Sequence, residues 1–118
     1  MKKTLYKTIS DKIAEQICVG KYPLNQPIPS IRKLAHDFSC TPSTVQRALN
    51  ILNQKGLIYP KRTIGYYVTD NISTVLSFRK NNVQAYLCDF LSVMHSLGYT
   101  DTEILLLLKT YIKQLNTY

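Results

Sequence analysis

The chain has 118 residues, with 15 Lys and Arg against 7 Asp and Glu, a formal charge of +8. Its hydrophobic share of 45% is too high for a disordered chain, and no apolar run approaches the ~20 residues of a membrane-spanning helix. That length fits one domain, or a small domain with an appendage. Met1, Lys2 and Lys3 form a basic start with no apolar stretch behind it, so no secretory signal is expected. Cys18, Cys40 and Cys88 are odd in number and widely spaced, which argues against a disulfide framework and for a reducing, cytoplasmic setting.

Charge is unevenly placed. Residues 1–69 hold 11 basic and 3 acidic side chains, a balance of +8, whereas residues 70–118 hold 4 of each. A basic first part suits a polyanionic partner, and the neutral second part must do something else.

The first predicted element is a helix over 5–19, where Leu5, Ile9, Ile13 and Ile17 recur at four-residue steps and Gly20 supplies the stop. Pro23, Pro27 and Pro29 then argue against regular structure. Ser30 is a suitable N-cap for a short helix with an apolar stripe of Ile31, Leu34, Ala35 and Phe38. After a turn at Ser39 and Cys40, Thr41 and Pro42 open a third helix, with Val45, Ala48, Leu49 and Leu52 facing inward and Gly56 closing it. Leu57-Ile58-Tyr59 and Tyr66-Tyr67-Val68 read as strands of a hairpin whose tip, 60–65, is basic. A long helix follows from about Thr74 to Leu97, then a last one from Asp101 or Thr102 to Leu115. Ile104 and Leu105 to Leu108 are five apolar residues in a row, too many for a single contact face.

Two short helices joined by a tight turn suggest a helix-turn-helix. With Val45, Leu49 and Leu52 inward, Ser43, Arg47, Asn50 and Gln54 point outward, flanked by Gln46. Arg suits guanine in the major groove, and Gln or Asn suits adenine. The helix N-terminus offers free N–H groups to phosphate oxygens. Lys61 and Arg62 add a second basic element that would track the backbone or enter the minor groove.

These stretches resemble the GntR family of bacterial transcription regulators. Pro29-Ser30-Ile31-Arg32-Lys33-Leu34-Ala35 looks like its "P-S-x-R-x-L-A" signature, and Thr41 to Leu49 looks like its recognition helix. Gln54-Lys55-Gly56-Leu57-Ile58 and Gly65-Tyr66-Tyr67-Val68 are similar to the entry and exit of its wing. The resemblance covers about residues 4–69. It implies a winged helix-turn-helix and DNA contact through Arg32, Thr41, Ser43, Thr44, Gln46, Arg47 and the wing. The candidate DNA-binding set is Ser30, Arg32, Thr41, Ser43, Thr44, Gln46, Arg47, Asn50, Lys61, Arg62, Thr63 and Gly65. Two departures stand out: Thr63 replaces the first glycine of the usual "R-G-x-G" wing, and Gln46 stands where some members have Arg.

The expected fold class is mainly α with a small β wing. A winged helix-turn-helix would occupy 1–69 and a two-helix antiparallel dimerisation module 70–118. Residues 97–105 are similar to the "L-G-x-(S/T)-x-x-E-(I/L)" turn of the YtrA subfamily, whose members end in such a module. Independently, two amphipathic helices expose more apolar surface than one antiparallel contact covers, and a second copy is the natural cover. Leu76, Val83, Leu87, Phe90, Leu91, Met94, Ile104, Leu105, Leu108, Tyr111 and Ile112 are the candidate dimerisation residues. The rival arrangement folds both helices back onto the same chain.

The expected function is a sequence-specific DNA-binding transcription regulator, a repressor that binds a pseudo-palindromic double-stranded operator as a homodimer. No cofactor, metal or membrane partner is expected. A small-molecule effector is left open, since two helices within one chain are too few to enclose a pocket of ~300–1,000 Å³. His36 and His95 lack ligand partners at metal spacing, and no catalytic constellation points to an enzyme. The alternative is a winged-helix interaction module whose basic face binds RNA or an acidic protein.

Overall fold

The computed structural model describes residues 4–116. The basic start at 1–3 and residues 117 and 118, which the sequence-based boundaries include, lie outside the described residues. In chain order the elements are α1 (Leu5–Cys18), α2 (Ile31–Asp37), α3 (Pro42–Gln54), β1 (Ile58–Lys61), β2 (Gly65–Val68), α4 (Ile72–Ser96) and α5 (Asp101–Leu115). The protein is mainly α with a two-stranded antiparallel wing.

Two compact units divide the chain between Arg79 and Lys80, within α4, rather than at residue 69. Residues 70–79 belong with the head because Val75 is buried and Phe78 packs against the head's core. Leu76, expected in the two-helix module, therefore falls in the head unit, where it is exposed.

The head is built around α3, against which α1 and α2 pack. Ile9, Ile13, Ala14 and Ile17 of α1 meet Val45, Ala48, Leu49 and Leu52 of α3 in one core, with Leu34, Leu57, Ile58 and Val68. Fully burying each Leu or Ile stabilises the fold by roughly 1.5–3 kcal/mol. Ser30 caps α2, its Oγ accepting from the Lys33 N–H at 3.1 Å. The turn into α3 depends on Ser39, whose φ of +52° is a left-handed conformation. The Cys40 N–H donates to the Ala35 carbonyl and the Ser39 N–H to that of His36, which closes α2.

The proline-rich segment is more ordered than its composition predicts. Gln26 and Ile28, flanking Pro27, exchange backbone hydrogen bonds with β2: the Val68 N–H donates to the Gln26 carbonyl at 2.9 Å and the Ile28 N–H to the Tyr66 carbonyl at 3.0 Å. Pro27 itself faces Tyr67 in a lone bridge. Pro27 lacks an N–H, but the bonds fall on its neighbours, so the segment lines β2 opposite β1. Asn25, also at positive φ, accepts from the Tyr59 hydroxyl at 2.6 Å.

In the second unit α4 and α5 do not pack along their lengths. Ile104 is 2% exposed, and Phe90 and Met94 are half-buried. Ile104 is thus taken up within the chain rather than left for a partner. The connection is closed by Gly98 at positive φ, by His95 and Asp101, whose Nε2 and Oδ1 lie 2.6 Å apart, and by a capping box between Thr100 and Glu103. Beyond it the apolar side chains are uncovered, Leu105 at 66% and Leu106 at 65%. Five consecutive apolar residues leave this outcome unavoidable for one chain.

Candidate nucleic-acid interface

The site is assembled on α3 from its N-terminus. The Thr41 side chain accepts from the Thr44 N–H at 3.4 Å, and Pro42 occupies the first helical turn, where its missing N–H costs nothing. The Thr41 hydroxyl lies 3.1 Å from that of Ser43 and 2.9 Å from that of Thr44. Three candidate DNA-contacting residues therefore form one hydroxyl cluster.

The helix faces fall as predicted. Val45, Ala48, Leu49 and Leu52 are buried, while Ser43, Arg47, Asn50 and Gln54 are exposed. Gln46 is half-buried. Its Nε2 donates to Asn50 Oδ1 and to the hydroxyl of Tyr66 on the wing, each at 3.0 Å. The guanidinium of Arg47 stacks on the ring of Tyr6 from α1. Tyr6 and Tyr66 are thus two residues that sequence reasoning left outside the site. Periodicity puts Tyr6 beside the α1 stripe, but no pattern in the sequence reveals which helix its ring will meet.

The wing corrects one detail. Lys61 is not in the tip: it ends β1 opposite Gly65, and its ammonium lies 4.2 Å from the Tyr67 ring centroid. The tip is Arg62, Thr63 and Ile64, closed by the Ile64 N–H donating to the Lys61 carbonyl at 3.2 Å. Thr63, third in this four-residue turn, has φ +65°, and its hydroxyl donates to the Arg62 carbonyl at 2.6 Å. The position usually held by glycine keeps a glycine-like backbone with a threonine in it. Ser30 and Arg32 are exposed at the start of α2, where Lys33 pairs with Asp37 at 3.3 Å.

Among the described residues there is no group of three or more His, Cys, Asp or Glu that could hold a metal ion, and no helix long and apolar enough to cross a membrane. Burial holds the Cys18 thiol above its ordinary pKa, with the Arg79 charge opposing and Glu15 adding to the rise.

A three-helix head, a tight α2–α3 turn, an exposed polar row on α3 and an adjoining β wing define a winged helix-turn-helix DNA-binding module. Residues 5–68 match the family described as "Bacterial regulatory proteins, gntR family". The chain belongs to the GntR family: it is a DNA-binding transcription regulator and not an enzyme. A GntR family transcriptional regulator from Listeria monocytogenes superposes with a TM-score of 0.88 at 29% identity, covering 92% of this chain and 95% of that one. The HTH-type transcriptional repressor YtrA of Bacillus subtilis is 31% identical over 72 residues, 61% of this chain and 55% of YtrA. AraR(DBD), solved in complex with operator ORR3, matches with a TM-score of 0.57 at 26% identity, over 58% of this chain and 83% of that one. The family accounts for the basic head as a DNA reader, which leaves the RNA or acidic-protein alternative without support.

Proposed function

We propose that the protein is a homodimeric cytoplasmic repressor, with two winged heads reading the halves of a pseudo-palindromic operator. The observation that carries the reading is the exposed row Ser43, Arg47 and Asn50 on α3, set beside a basic wing. In this reading Arg47 and Asn50 address base edges. Ser30, Arg32, Thr41, Ser43 and Thr44 hold the backbone, and Lys61, Arg62, Thr63 and Gly65 bring the wing to the neighbouring groove. The match to an operator-bound winged head and to a repressor supports it.

The domain organisation follows the same logic: the head, which takes in the start of α4 as far as Arg79, reads DNA, and the helical stretch beyond it pairs two copies, as in the short-tailed YtrA subfamily. Val83, Leu87, Leu91, Leu105, Leu108, Tyr111 and Ile112 are all exposed, with Phe90 and Met94 half-buried. Such a surface favours an isologous contact. A small-molecule effector would have to bind between subunits or beside the wing.

Selection of bound duplexes from a random pool tests this reading. An enriched inverted repeat is the expected result, and a pool that stays random rejects it. Light scattering at micromolar concentration should return twice the chain mass; the mass of one chain rejects the homodimer.

A further inference from the structure

We propose that Tyr66, on the wing, is a specificity-determining positioning residue: its hydroxyl fixes the Gln46 amide so that Gln46 and Asn50 read base edges as one unit. The inference rests on the DNA-reading role proposed above.

An amide nitrogen carries two hydrogens. Gln46 Nε2 spends one on Asn50 Oδ1 and the other on the Tyr66 hydroxyl. A free glutamine addresses adenine with both its ends, donating to N7 and accepting from N6. Gln46 held in this way has no donor left, so it offers its carbonyl oxygen alone. Asn50, whose carbonyl oxygen is already engaged, keeps its amide donors. The pair therefore divides the work: Gln46 accepts from an exocyclic amine, adenine N6 or cytosine N4, and Asn50 donates to a base-edge acceptor beside it.

Tyr66 is suited to hold this arrangement. It lies 20 positions along the chain from Gln46, on a different element. Its ring packs against the head's core, and its carbonyl accepts from the Ile28 N–H. Its hydroxyl is thus a fixed point, and an amide tied to it loses rotamer freedom before DNA arrives rather than during binding. The contact also links wing to recognition helix, so a shift of the wing would be felt at a base-reading side chain.

The test compares the full-length wild type with Tyr66→Phe, Gln46→Ala and the double variant. Phenylalanine keeps the ring in the core and removes only the hydroxyl. Each protein is titrated against the selected operator, its single-base variants and random-sequence duplex at one salt concentration. Tyr66→Phe is expected to leave random-duplex affinity unchanged and to cut discrimination at one base pair by roughly 2- to 10-fold, the scale of one hydrogen bond. That base pair should be the one Gln46→Ala relaxes, and the double variant should relax it no further than Gln46→Ala alone. Unchanged discrimination in Tyr66→Phe overturns the inference and leaves the DNA-reading role standing, as does relaxation at a different base pair. Equal binding of all duplexes by the wild type overturns the DNA-reading role itself. A purely structural role for Tyr66 would lower both affinities together, and that outcome also refutes the proposal.

Discussion

The guanidinium of Arg47 lies over the ring of Tyr6, 4.2 Å from its centroid, and so ties the exposed face of α3 to α1. The attraction of a cation to a ring face contributes about 0.5–1 kcal/mol at an exposed site. Its larger effect is on freedom: a long side chain that would sample many rotamers is already extended in one direction when DNA arrives.

Arg47→Ala should therefore weaken binding at the selected operator by about 1–3 kcal/mol and relax one base preference. Tyr6→Leu keeps the apolar bulk of α1, removes the ring face, and should lose less. The double variant should lose no more than Arg47→Ala alone, since Tyr6 acts through Arg47. Competition titrations on operator duplex measure all three. Losses that sum in full would place the effect of Tyr6 elsewhere.

The wing turn carries a correctable strain. Thr63 has φ +65°, where a Cβ crowds the carbonyl oxygen and a β-branched side chain is disfavoured most. Its hydroxyl bond to the Arg62 carbonyl offsets part of that cost. Thr63→Gly should raise the stability of the DNA-free protein by about 0.5–1 kcal/mol, the relief being partly cancelled by the entropy glycine adds to the unfolded chain. Thermal unfolding without DNA reads the change directly. A lower melting point would mean that the hydroxyl bond outweighs the strain.

The elements that were legible from sequence are those fixed by local chemistry. Ser30 and Thr41 are capping residues wherever a helix follows them, and both cap here. The inward set Val45, Ala48, Leu49 and Leu52 follows from a 3.6-residue period, which at once places Ser43, Arg47 and Asn50 outward. What escaped prediction depends on contacts between distant segments. Gln46 meets Tyr66 only because the wing folds back beside α3, and Arg47 meets Tyr6 only because α1 packs on α3. The proline-rich segment escaped for a related reason: its bonds to β2 fall on Gln26 and Ile28, so counting prolines underestimates its order. The unit boundary moved into α4 because Val75 and Phe78 are apolar at a helical period that does not announce which core they serve.

Electrostatics sets the salt response. Two copies would carry a formal +16, twice the +8 of one chain, with the excess in the heads. Lys61 and Arg62 are exposed at the wing and Arg32 at the start of α2. If a dimer neutralises ~6–10 phosphates, operator affinity should fall by ~10³–10⁵ between 50 and 200 mM salt. Arg62→Ala should lower the slope of log affinity against log salt and leave base preference intact, because a phosphate contact carries no sequence information. A slope unchanged by Arg62→Ala would remove the wing tip from the set of phosphate contacts.

The N-terminus of α5 adds a pH dependence with a defined sign. The Thr100 N–H and hydroxyl each donate to Glu103 Oε1 at 3.0 Å, and the Glu103 N–H donates back to Thr100 Oγ1 at 3.3 Å. These bonds favour the carboxylate, so the Glu103 pKa is held below its ordinary value, chiefly by the backbone N–H and then by the hydroxyl. A group whose folded pKa is depressed stabilises the fold above its unfolded pKa, about 4.3 for Glu. That contribution is lost as pH falls through the lower, folded value. Wild-type protein should therefore be more stable than Glu103→Gln at pH 7, and the gap should close on acidification below the ordinary carboxylate range. The helix dipole acts in the same direction, since Asp101 and Glu103 both lie in the first turn. Comparing the two proteins cancels the titration of every other carboxylate, so urea unfolding at a series of pH values isolates Glu103. A gap that stays constant down to pH 3 would show that the charge of Glu103 contributes nothing to the cap.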